Sequence, residues 1–380
     1  MSSLRELFLL DRDVAYLNHG SYGATPEPVF REYQRWQREL EQQPTEFLGR
    51  RHDGLMHEAR DALAAYFHTG GESLVFTQNA TIAVNIVARS LEMGAGDEVL
   101  SSDHEYGACD RVWRFLSKKR GFAYIRRPIR VPLASAEELL EDFWGGVTPR
   151  TRVIFLSHIT SPTAIIFPAA EICRLARAAS IHTVIDGAHA PGQISLDLPA
   201  LGADFYAGNL HKWLCAPKGA GFLYTRAEAQ HLVEPLVISW GYESVAPSSS
   251  PFIDEQEWWG TRDIAGFLSV PAAIEFQARH EWDTVRASCH RLLQDTLDRM
   301  VQATGLPTFY PDNTWYRQMA TAPLPRGLDI AVTKARLYDE YRVEVPLVEW
   351  NGHKLIRISV QGYNEQADLD RLIQAIQHLI

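Results

Sequence analysis

Short apolar runs alternate with longer amphipathic segments through the first two thirds of this 380-residue chain, and no other feature restricts the fold as much. The runs are rich in β-branched and aromatic residues, as strands are. The predicted strands cover residues 73–77, 98–101, 152–157, 182–186, 204–207 and 221–225. The predicted helices cover residues 56–68, 81–93, 106–119 and 168–179. This pattern predicts an α/β fold with a mostly parallel central sheet covered by helices.

The sequence pattern changes after Gly260. A polar stretch before it is predicted to be a surface loop, and the segments after it predict a smaller mixed unit. The predicted elements are a loop at residues 245–251, one long helix at 264–303, strands at 343–348 and 354–360, and a closing helix at 365–380. The predicted division is an N-terminal segment that packs with the small domain (1–20), a large domain (21–263) and a small α+β C-terminal domain (264–380).

Charge and composition exclude several classes of partner. A net charge of −10 without a basic tract argues against nucleic acid and anionic membranes. No apolar run is as long as the roughly 18 residues that a membrane span needs. The four cysteines lack metal-ligand spacing, which predicts reduced thiols and no metal site; they are Cys109, Cys173, Cys215 and Cys289. We therefore expect a cytoplasmic protein.

Two side chains near the ends of neighbouring predicted strands carry the strongest chemical signal. Asp186 ends the apolar strand in TVIDGAHA, and Lys212 follows the next strand in the loop GNLHKW. Ligands of such sheets collect at the carboxyl ends of the strands. A lysine and a carboxylate facing one crevice suit pyridoxal 5′-phosphate, whose aldehyde forms a Schiff base and whose ring nitrogen needs an acidic partner. Taken singly, each residue could instead be a solvated lysine or a helix-capping aspartate.

The segment LVFTQNATIAVN predicts a phosphate site, because it reads as a strand, a polar turn and a helix. The unpaired N–H groups and the dipole of a helix N-terminus favour a dianion. Simple N-capping is an equal alternative for the same residues. The expected phosphate ligands are Asn79, Ala80, Thr81, Asn209 and His211.

Two histidines and an arginine could complete the site. His104 follows a predicted strand and could stack on the ring, although Tyr106 competes for that role. His189 could hydrogen-bond to the ring hydroxyl. Arg357, in the strand KLIRISV, could bind a substrate α-carboxylate in a bidentate manner. The alternatives without a catalytic role are that both histidines pack in the protein interior and that Arg357 forms a surface ion pair.

Together these segments resemble the class V branch of the fold type I pyridoxal-phosphate enzymes, with cysteine desulfurases and isopenicillin N epimerase. The resemblance covers nearly the whole chain, in the segments YLNHGSYGATP, FTQNAT, SDHEYGA, SHITSPTA, DGAHAPGQ, GNLHKWLCAPKGAGFLY, SWGYES, WWGTRD and LIRISVQGYN. It implies that Lys212 is the catalytic Schiff-base lysine, that Asp186 is the ring partner and that His104 stacks on the ring. It also implies cofactor contacts from Ser161 and His189.

The resemblance further implies a homodimer with shared active sites, in which Gly260 and Thr261 reach the phosphate bound by the neighbouring subunit. The expected substrate is a small-molecule amino acid. Residues expected to contact it lie in the N-terminal segment, an aromatic loop and the small domain; they are Asn18, His19, Tyr22, Trp240 and Arg357.

One departure from the family narrows the reaction. Cysteine desulfurases carry a catalytic cysteine before their last strands, but that region here reads YRVEVPLVEWNGHK. The leading hypothesis is C–S β-lysis, or decarboxylation coupled to deamination, of an S-substituted cysteine conjugate in specialised metabolism. An epimerase of the isopenicillin N type or an aminotransferase is the alternative. A catalytically silent, cofactor-binding regulator is the alternative from another class.

Overall fold

The computed structural model describes residues 4–380, and its centre is a seven-stranded sheet in the order β2-β8-β7-β6-β5-β3-β4. All neighbouring strands from β7 to β4 are parallel, and only β8 runs antiparallel to both of its neighbours. The strands are β2 (Leu74–Thr77), β3 (Glu98–Ser102), β4 (Ala123–Arg127), β5 (Thr151–Ser157), β6 (His182–Gly187), β7 (Phe205–Asn209) and β8 (Gly221–Thr225). The prediction of a mostly parallel sheet is therefore confirmed.

The central strands are buried on both faces, which explains why they read as apolar runs. In β5, Val153 and Phe155 pack into one hydrophobic cluster, whereas Ile154 and Leu156 pack into another on the opposite face. The strand β4 was not predicted, because its residues are half-exposed and it includes two arginines.

Helices cover both faces of this sheet. They are α1 (His19–Tyr22), α2 (Glu27–Gln42), α3 (Pro44–Glu46), α4 (His52–Tyr66), α5 (Ala80–Ser90), α6 (Gly107–Arg120), α7 (Ala136–Trp144), α8 (Ala169–Ala178), α9 (Leu198–Leu201) and α10 (Pro251–Glu257). Residues 245–250 form the predicted loop before α10. None of the helices in residues 4–380 is both long and apolar enough to cross a membrane.

The single long helix predicted at residues 264–303 is wrong. The structure forms three helices there, α11 (Ala265–Leu268), α12 (Val270–Arg279) and α13 (Trp282–Thr304). Pro271 lies in the first turn of α12, where a missing N–H costs least. Glu281 adopts φ 48°, outside the right-handed helical region, so the chain turns between α12 and α13.

The C-terminal unit contains a three-stranded antiparallel sheet in the order β11-β12-β9. Its elements are β9 (Met319–Leu324), α14 (Ile330–Asp339), β10 (Val343–Glu344), β11 (Leu347–Trp350), β12 (His353–Ser359) and α15 (Gln366–Leu379). The predicted strand at 343–348 is divided at Val345 and Pro346. The two-residue strand β1 (Ala15–Tyr16) pairs in parallel with β10, which joins the N-terminal segment to this unit.

Phe155 should be essential for stability, because its ring is fully buried between the sheet and Trp113, 5.6 Å away between ring centroids. We expect Phe155→Ala to lower the free energy of unfolding by about 3–5 kcal/mol in urea denaturation followed by circular dichroism. Phe115→Ala, at an exposed position on α6, should change it by less than about 0.5 kcal/mol. Equal losses in the two variants would contradict this packing.

Candidate active site

The loops that follow β3, β5, β6 and β7 meet at the carboxyl edge of the central sheet. Asp186 lies in β6, directly opposite Ser157 on one side and Ala207 on the other. Lys212 lies in the loop after β7. The structure thus brings the two residues with the strongest sequence signal to one crevice, where the charge of each affects the pKa of the other.

Asp186 is a buried carboxylate without a cationic partner. Its Oδ1 accepts a hydrogen bond from the Ala188 N–H at 2.9 Å, and its Oδ2 accepts one from the Cys109 thiol at 3.4 Å. No lysine or arginine in residues 4–380 forms an ion pair with it. Burial raises the pKa of Asp186 above its ordinary value. A protonated ring nitrogen would supply the missing positive partner, so this site fits a pyridinium.

The Lys212 amine is also buried, and it lies 3.3 Å from His189 Nε2. Burial, together with the positive charge of Arg357, lowers the pKa of Lys212 to about 7, although Asp186 opposes the shift. The other ring nitrogen of His189, Nδ1, is 3.3 Å from the indole N–H of Trp213. Lys212 therefore has a substantial neutral fraction at neutral pH, as an amine nucleophile or base requires.

The predicted phosphate turn lies beside the lysine loop, but its available donors differ from expectation. Asn79 caps α5 by accepting from the Ile82 N–H at 3.0 Å. The Ala80 N–H donates to Asn209 Oδ1 at 2.8 Å, so the amide that was expected to bind phosphate is already paired. Within residues 4–380 no acceptor pairs with the Thr81 N–H or hydroxyl, so both remain available to an anion.

Two further predicted phosphate ligands border this turn. The bond to Ala80 leaves the Asn209 amide NH₂ available as a donor. His211 bonds through Nδ1 to the Ala220 carbonyl at 3.0 Å, which leaves its Nε2 for a ligand. Burial lowers the pKa of His211 to about 4. Neutral His211 donates from Nδ1 to the carbonyl and has a lone pair on Nε2, so it would donate to a phosphate only after the dianion restored its second proton.

Arg357, on β12, is buried and faces the same crevice. Its Nη1 donates to the Ser161 carbonyl at 2.7 Å and to the Ser161 hydroxyl at 3.1 Å, and its Nη2 donates to the Ser21 hydroxyl at 3.0 Å. Its Nε has no partner among the described residues. Burial lowers the pKa of Arg357 to about 10, so it stays cationic at neutral pH. Ser161 thus supports the arginine, which sequence reasoning did not anticipate.

The N-terminal segment forms the floor of the site. His19 is fully buried, with Nε2 3.0 Å from the Lys212 carbonyl and Nδ1 3.1 Å from the Tyr363 hydroxyl. Asn18 donates to Glu344 at 2.9 Å and accepts from the Ser21 hydroxyl. The geometry gives no support to the expectation that Asn18 and His19 contact substrate, because their polar groups are buried and paired within the protein.

A glycine permits this floor to lie directly under the lysine. Gly23 adopts φ +70°, and a Cβ built there would lie 1.9 Å from the His211 carbonyl oxygen. No other residue would allow the two backbones to approach so closely.

His104 does not face the crevice. It is fully buried, its Nδ1 lies 2.7 Å from the Thr163 hydroxyl, and its ring packs 4.2 Å from that of Trp350 between centroids. This packing gives no support to the expectation that His104 stacks on the cofactor, because the indole of Trp350 lies against its ring at an interplanar angle of 48°. Tyr106 is 45% exposed and interacts electrostatically with Asp186 and Arg357, which places it at the crevice.

The hairpin β11–β12 fixes Trp350 against the loop after β3. The Trp350 indole N–H donates to the Asp103 carbonyl at 2.9 Å, and the Asn351 amide donates to the Asp103 carboxylate at 2.6 Å. This is the region in which cysteine desulfurases were expected to differ from this chain. The hairpin here is a structural contact between the C-terminal sheet and the loop that carries Tyr106.

Three of the predicted site residues lie at the surface of the single chain, namely Trp240, Gly260 and Thr261. Trp240 is 81% exposed, and Thr261 is exposed after Gly260. No hydrogen bond within residues 4–380 connects any of them to Lys212. Tyr22, the remaining predicted substrate contact, is 71% exposed and interacts electrostatically with Tyr106 at the crevice.

Glu105 was not identified from the sequence, where only its neighbours His104 and Tyr106 were considered as residues that contact the cofactor ring. The Glu105 carboxylate accepts from the Ser157 N–H at 2.8 Å, the Ser157 hydroxyl at 2.6 Å and the Ser102 hydroxyl at 2.6 Å. Burial raises its pKa to about 8, and the nearby Asp186 carboxylate adds to that increase. Glu105 ties the loop that carries Tyr106 to the strand next to Asp186.

Comparisons with known proteins agree with this geometry. The family model for aminotransferase class-V matches residues 16–372. Isopenicillin N epimerase of Amycolatopsis lactamdurans is 37% identical over 392 residues, covering 100% of this chain and 98% of the relative. L-cysteine desulfhydrase of Arabidopsis thaliana is 29% identical over 422 residues, covering 97% of this chain and 88% of the relative.

The fold is shared with solved structures. A C-DES mutant with glycine covalently linked to its pyridoxal-phosphate cofactor superposes with a TM-score of 0.86 at 20% identity, over 99% of both chains. The chain belongs to the aminotransferase class-V family. It is a fold type I enzyme, and its cofactor is pyridoxal 5′-phosphate. This outcome excludes the alternative of a catalytically silent regulator.

Lys212 should carry the cofactor covalently. We expect Lys212→Ala to lose the visible absorption band of the lysine-bound cofactor and to retain no cofactor after borohydride reduction and denaturation. Lys218→Ala is the matched control, because this lysine lies six residues further along the same loop. Covalent trapping in the Lys212 variant, measured by intact mass, would contradict the assignment.

The lowered pKa of Lys212 should control cofactor capture by the apoprotein. Capture should increase as pH rises through about 7, because the protonated lysine cannot attack an aldehyde. Arg357→Gln removes a positive charge, which should raise the pKa of Lys212 and move the midpoint to higher pH. Arg336→Gln, at the surface, should leave the midpoint unchanged in stopped-flow absorbance measurements.

Proposed function

We propose that this enzyme cleaves the Cβ–S bond of an S-substituted cysteine, beginning with transfer of the substrate Cα proton to Lys212. The observation that carries the proposal is the buried Lys212 amine, which has a pKa of about 7 and shares one crevice with Asp186 and Arg357. A relative named L-cysteine desulfhydrase supports the choice of a sulfur substrate.

Pyridoxal phosphate, when bound, joins the substrate amino group and accepts the electron pair left at Cα. In the proposed arrangement, Asp186 holds a proton on the ring nitrogen and His189 donates to the ring oxygen. Thr81, Asn209 and His211 bind the phosphate. Tyr106 lies against the ring in the role that sequence reasoning had given to His104.

Arg357 would bind the substrate α-carboxylate. Two of its nitrogens are held by Ser161 and Ser21, and its guanidinium stays cationic at neutral pH. The hydrogen-bond chain from Glu344 through Asn18 to Ser21 fixes the position of that guanidinium. A fixed cation on one side of the crevice would orient Cα toward Lys212.

Lys212 would then move the proton. Its neutral Nζ takes the proton from Cα, the Cβ–S bond breaks with its electron pair on sulfur, and the sulfur leaves as a thiol after protonation. Hydrolysis of the remaining unsaturated amino acid gives pyruvate and ammonia. All four cysteines are buried, so none is exposed to form a protein persulfide in the manner of a desulfurase.

Decarboxylation coupled to deamination is a variant of the same proposal. It would break the bond from Cα to the carboxylate in place of the Cα–H bond. Departure of the sulfur group with the Cβ–S electron pair and hydrolysis of the remaining enamine would then give CO₂, a thiol, acetaldehyde and ammonia. Arg357 would disfavour this variant, because ion pairing stabilises the carboxylate that must be lost.

Epimerisation at Cα is the second candidate, and the 37% identity to an isopenicillin N epimerase favours it. Epimerisation requires a proton donor on the side of Cα opposite to Lys212. Tyr106 and Tyr22 are the hydroxyl side chains exposed at the crevice that could serve. Transamination, the remaining alternative, would leave the amino group on the cofactor.

The active enzyme is proposed to be a homodimer with shared sites. The single chain exposes a cluster of large apolar side chains on the loop before α10, namely Leu236, Val237, Ile238, Trp240, Tyr242 and Val245. Burial of this cluster against a second copy would remove an unfavourable apolar surface from water. In such a dimer, Thr261 and Trp240 would lie at the crevice of the partner subunit. This would explain why both residues are exposed in the single chain.

Product analysis should separate the candidates. With S-alkyl cysteines we expect pyruvate, ammonia and a thiol, and Arg357→Gln should raise KM roughly 10–100-fold through loss of a charged hydrogen bond. The absence of pyruvate, CO₂ and aldehyde with every S-substituted cysteine would refute the proposal. Rapid incorporation of deuterium at Cα with inverted product would support the epimerase, and Tyr106→Phe or Tyr22→Phe should then abolish inversion.

Mixed dimers should test whether sites are shared. Lys212→Ala removes the base, and Thr261→Glu places a negative charge at the phosphate of the neighbouring site. Each variant should be inactive alone, but their equal mixture after co-refolding should recover about a quarter of the wild-type activity, from one native site in each mixed dimer. If the mixed dimers recovered no activity, the proposal that the two subunits share their active sites would be contradicted.

A further inference from the structure

Both ring nitrogens of His189 have a neighbour, and the two neighbours differ in hydrogen-bonding capacity. Nδ1 lies 3.3 Å from the indole nitrogen of Trp213, and Nε2 lies 3.3 Å from Lys212 Nζ. An indole N–H can only donate, so Nδ1 must accept. A neutral imidazole with an accepting Nδ1 carries its proton on Nε2.

We propose that Trp213 is a positioning residue that holds His189 in the neutral tautomer with its proton on Nε2. That proton points toward Lys212 and would be donated to the ring oxygen of the cofactor. The inference rests on the proposed placement of the ring between Asp186 and Lys212. Neither the family match nor the sequence motifs assign Trp213 a role.

The surroundings keep His189 neutral, so its tautomer and not its charge is what Trp213 controls. His189 is buried, and burial lowers its pKa well below the ordinary value. The charges of Lys212 and Arg357 and the nearby His19 act in the same direction. A neutral buried imidazole without a fixed partner could adopt either tautomer, and the wrong one would present a lone pair to the ring oxygen.

Trp213 is held firmly enough to impose this choice. Its side chain is fully buried, its ring lies 5.0 Å from that of His19 between centroids, and its carbonyl accepts from Gln277 Nε2 at 2.8 Å. Gly192, at φ +84°, passes so close that a Cβ there would lie 2.4 Å from the Trp213 carbonyl carbon. The indole N–H therefore has little freedom to leave Nδ1.

The tautomer has a consequence for the lysine-bound cofactor. A donor at the ring oxygen withdraws negative charge from it, so the neighbouring lysine nitrogen holds its proton less tightly. Loss of the donor should raise the pKa at which the visible band of the holoenzyme changes. Besides His189, the groups that face Lys212 and influence this pKa are Arg357, Asp186 and Cys109.

Trp213→Phe tests the inference, because it removes the N–H donor and keeps a buried aromatic ring, and the accompanying loss of ring volume is the same in Trp113→Phe. In the ¹⁵N-histidine-labelled holoenzyme, the His189 signals should change from a single Nε2–H tautomer to a mixture. The pKa of the visible band should rise by about one unit. The His189 signals can be assigned by their loss in His189→Gln.

Trp113→Phe is the matched control. Trp113 is equally buried, and its indole nitrogen has no hydrogen-bond partner among the described residues. This variant should leave both the tautomer and the band unchanged. An equal shift in the control, or unchanged His189 signals in Trp213→Phe, would overturn the inference.

A double-mutant cycle separates a tautomer effect from a loss of packing. The amide of His189→Gln can donate to the ring oxygen whether or not Trp213 has an N–H, so Trp213→Phe should no longer shift the band in that background. A shift of the same size in both backgrounds would overturn the inference. The tautomer result is independent of product analysis, so failure of C–S lysis would refute the proposed reaction and leave the role of Trp213 intact.

Discussion

The site depends on the burial of charge without ion pairing. Asp186, Lys212 and Arg357 are each removed from water, yet none forms an ion pair with another among the described residues. Burial of unpaired charge is costly, and each pKa moves toward the neutral form as a result. Pyridoxal phosphate would relieve part of this cost, because its ring nitrogen would supply a positive charge beside Asp186 and its aldehyde would take up the Lys212 amine. A substrate carboxylate would supply the negative charge beside Arg357, so the electrostatics of the site are complete only with both cofactor and substrate.

Much of this arrangement could be predicted from the sequence, because the fold buries β5, β6 and β7 on both faces and their apolar runs are strong signals. The predicted ends of those strands led to the correct prediction that Asp186 and Lys212 lie at the carboxyl edge of the central sheet. Elements with mixed character were harder to predict: β4 includes two arginines, of which Arg126 is exposed, and the turn at Glu281 lies inside a pattern that is otherwise helical.

Errors within the site have a different origin. His104 and Tyr106 follow the same strand, and only the packing of Trp350, more than 240 residues later, determines which of them faces the crevice. The amide of Ala80 is paired with the side chain of Asn209, which lies 129 residues further along the chain. Such assignments depend on long-range contacts, which neither periodicity nor motif spacing encodes.

The contact between Trp350 and Asp103 has a mechanical consequence. Trp350 ends β11, and Arg357 lies on the partner strand β12, so both move with the same small sheet. Asp103, His104 and Tyr106 share one short loop of the central domain. A rotation of the small sheet would therefore displace Arg357 and, through Trp350, the loop that carries Tyr106. The position proposed for the substrate carboxylate and the position proposed for the cofactor ring are thus coupled through one indole.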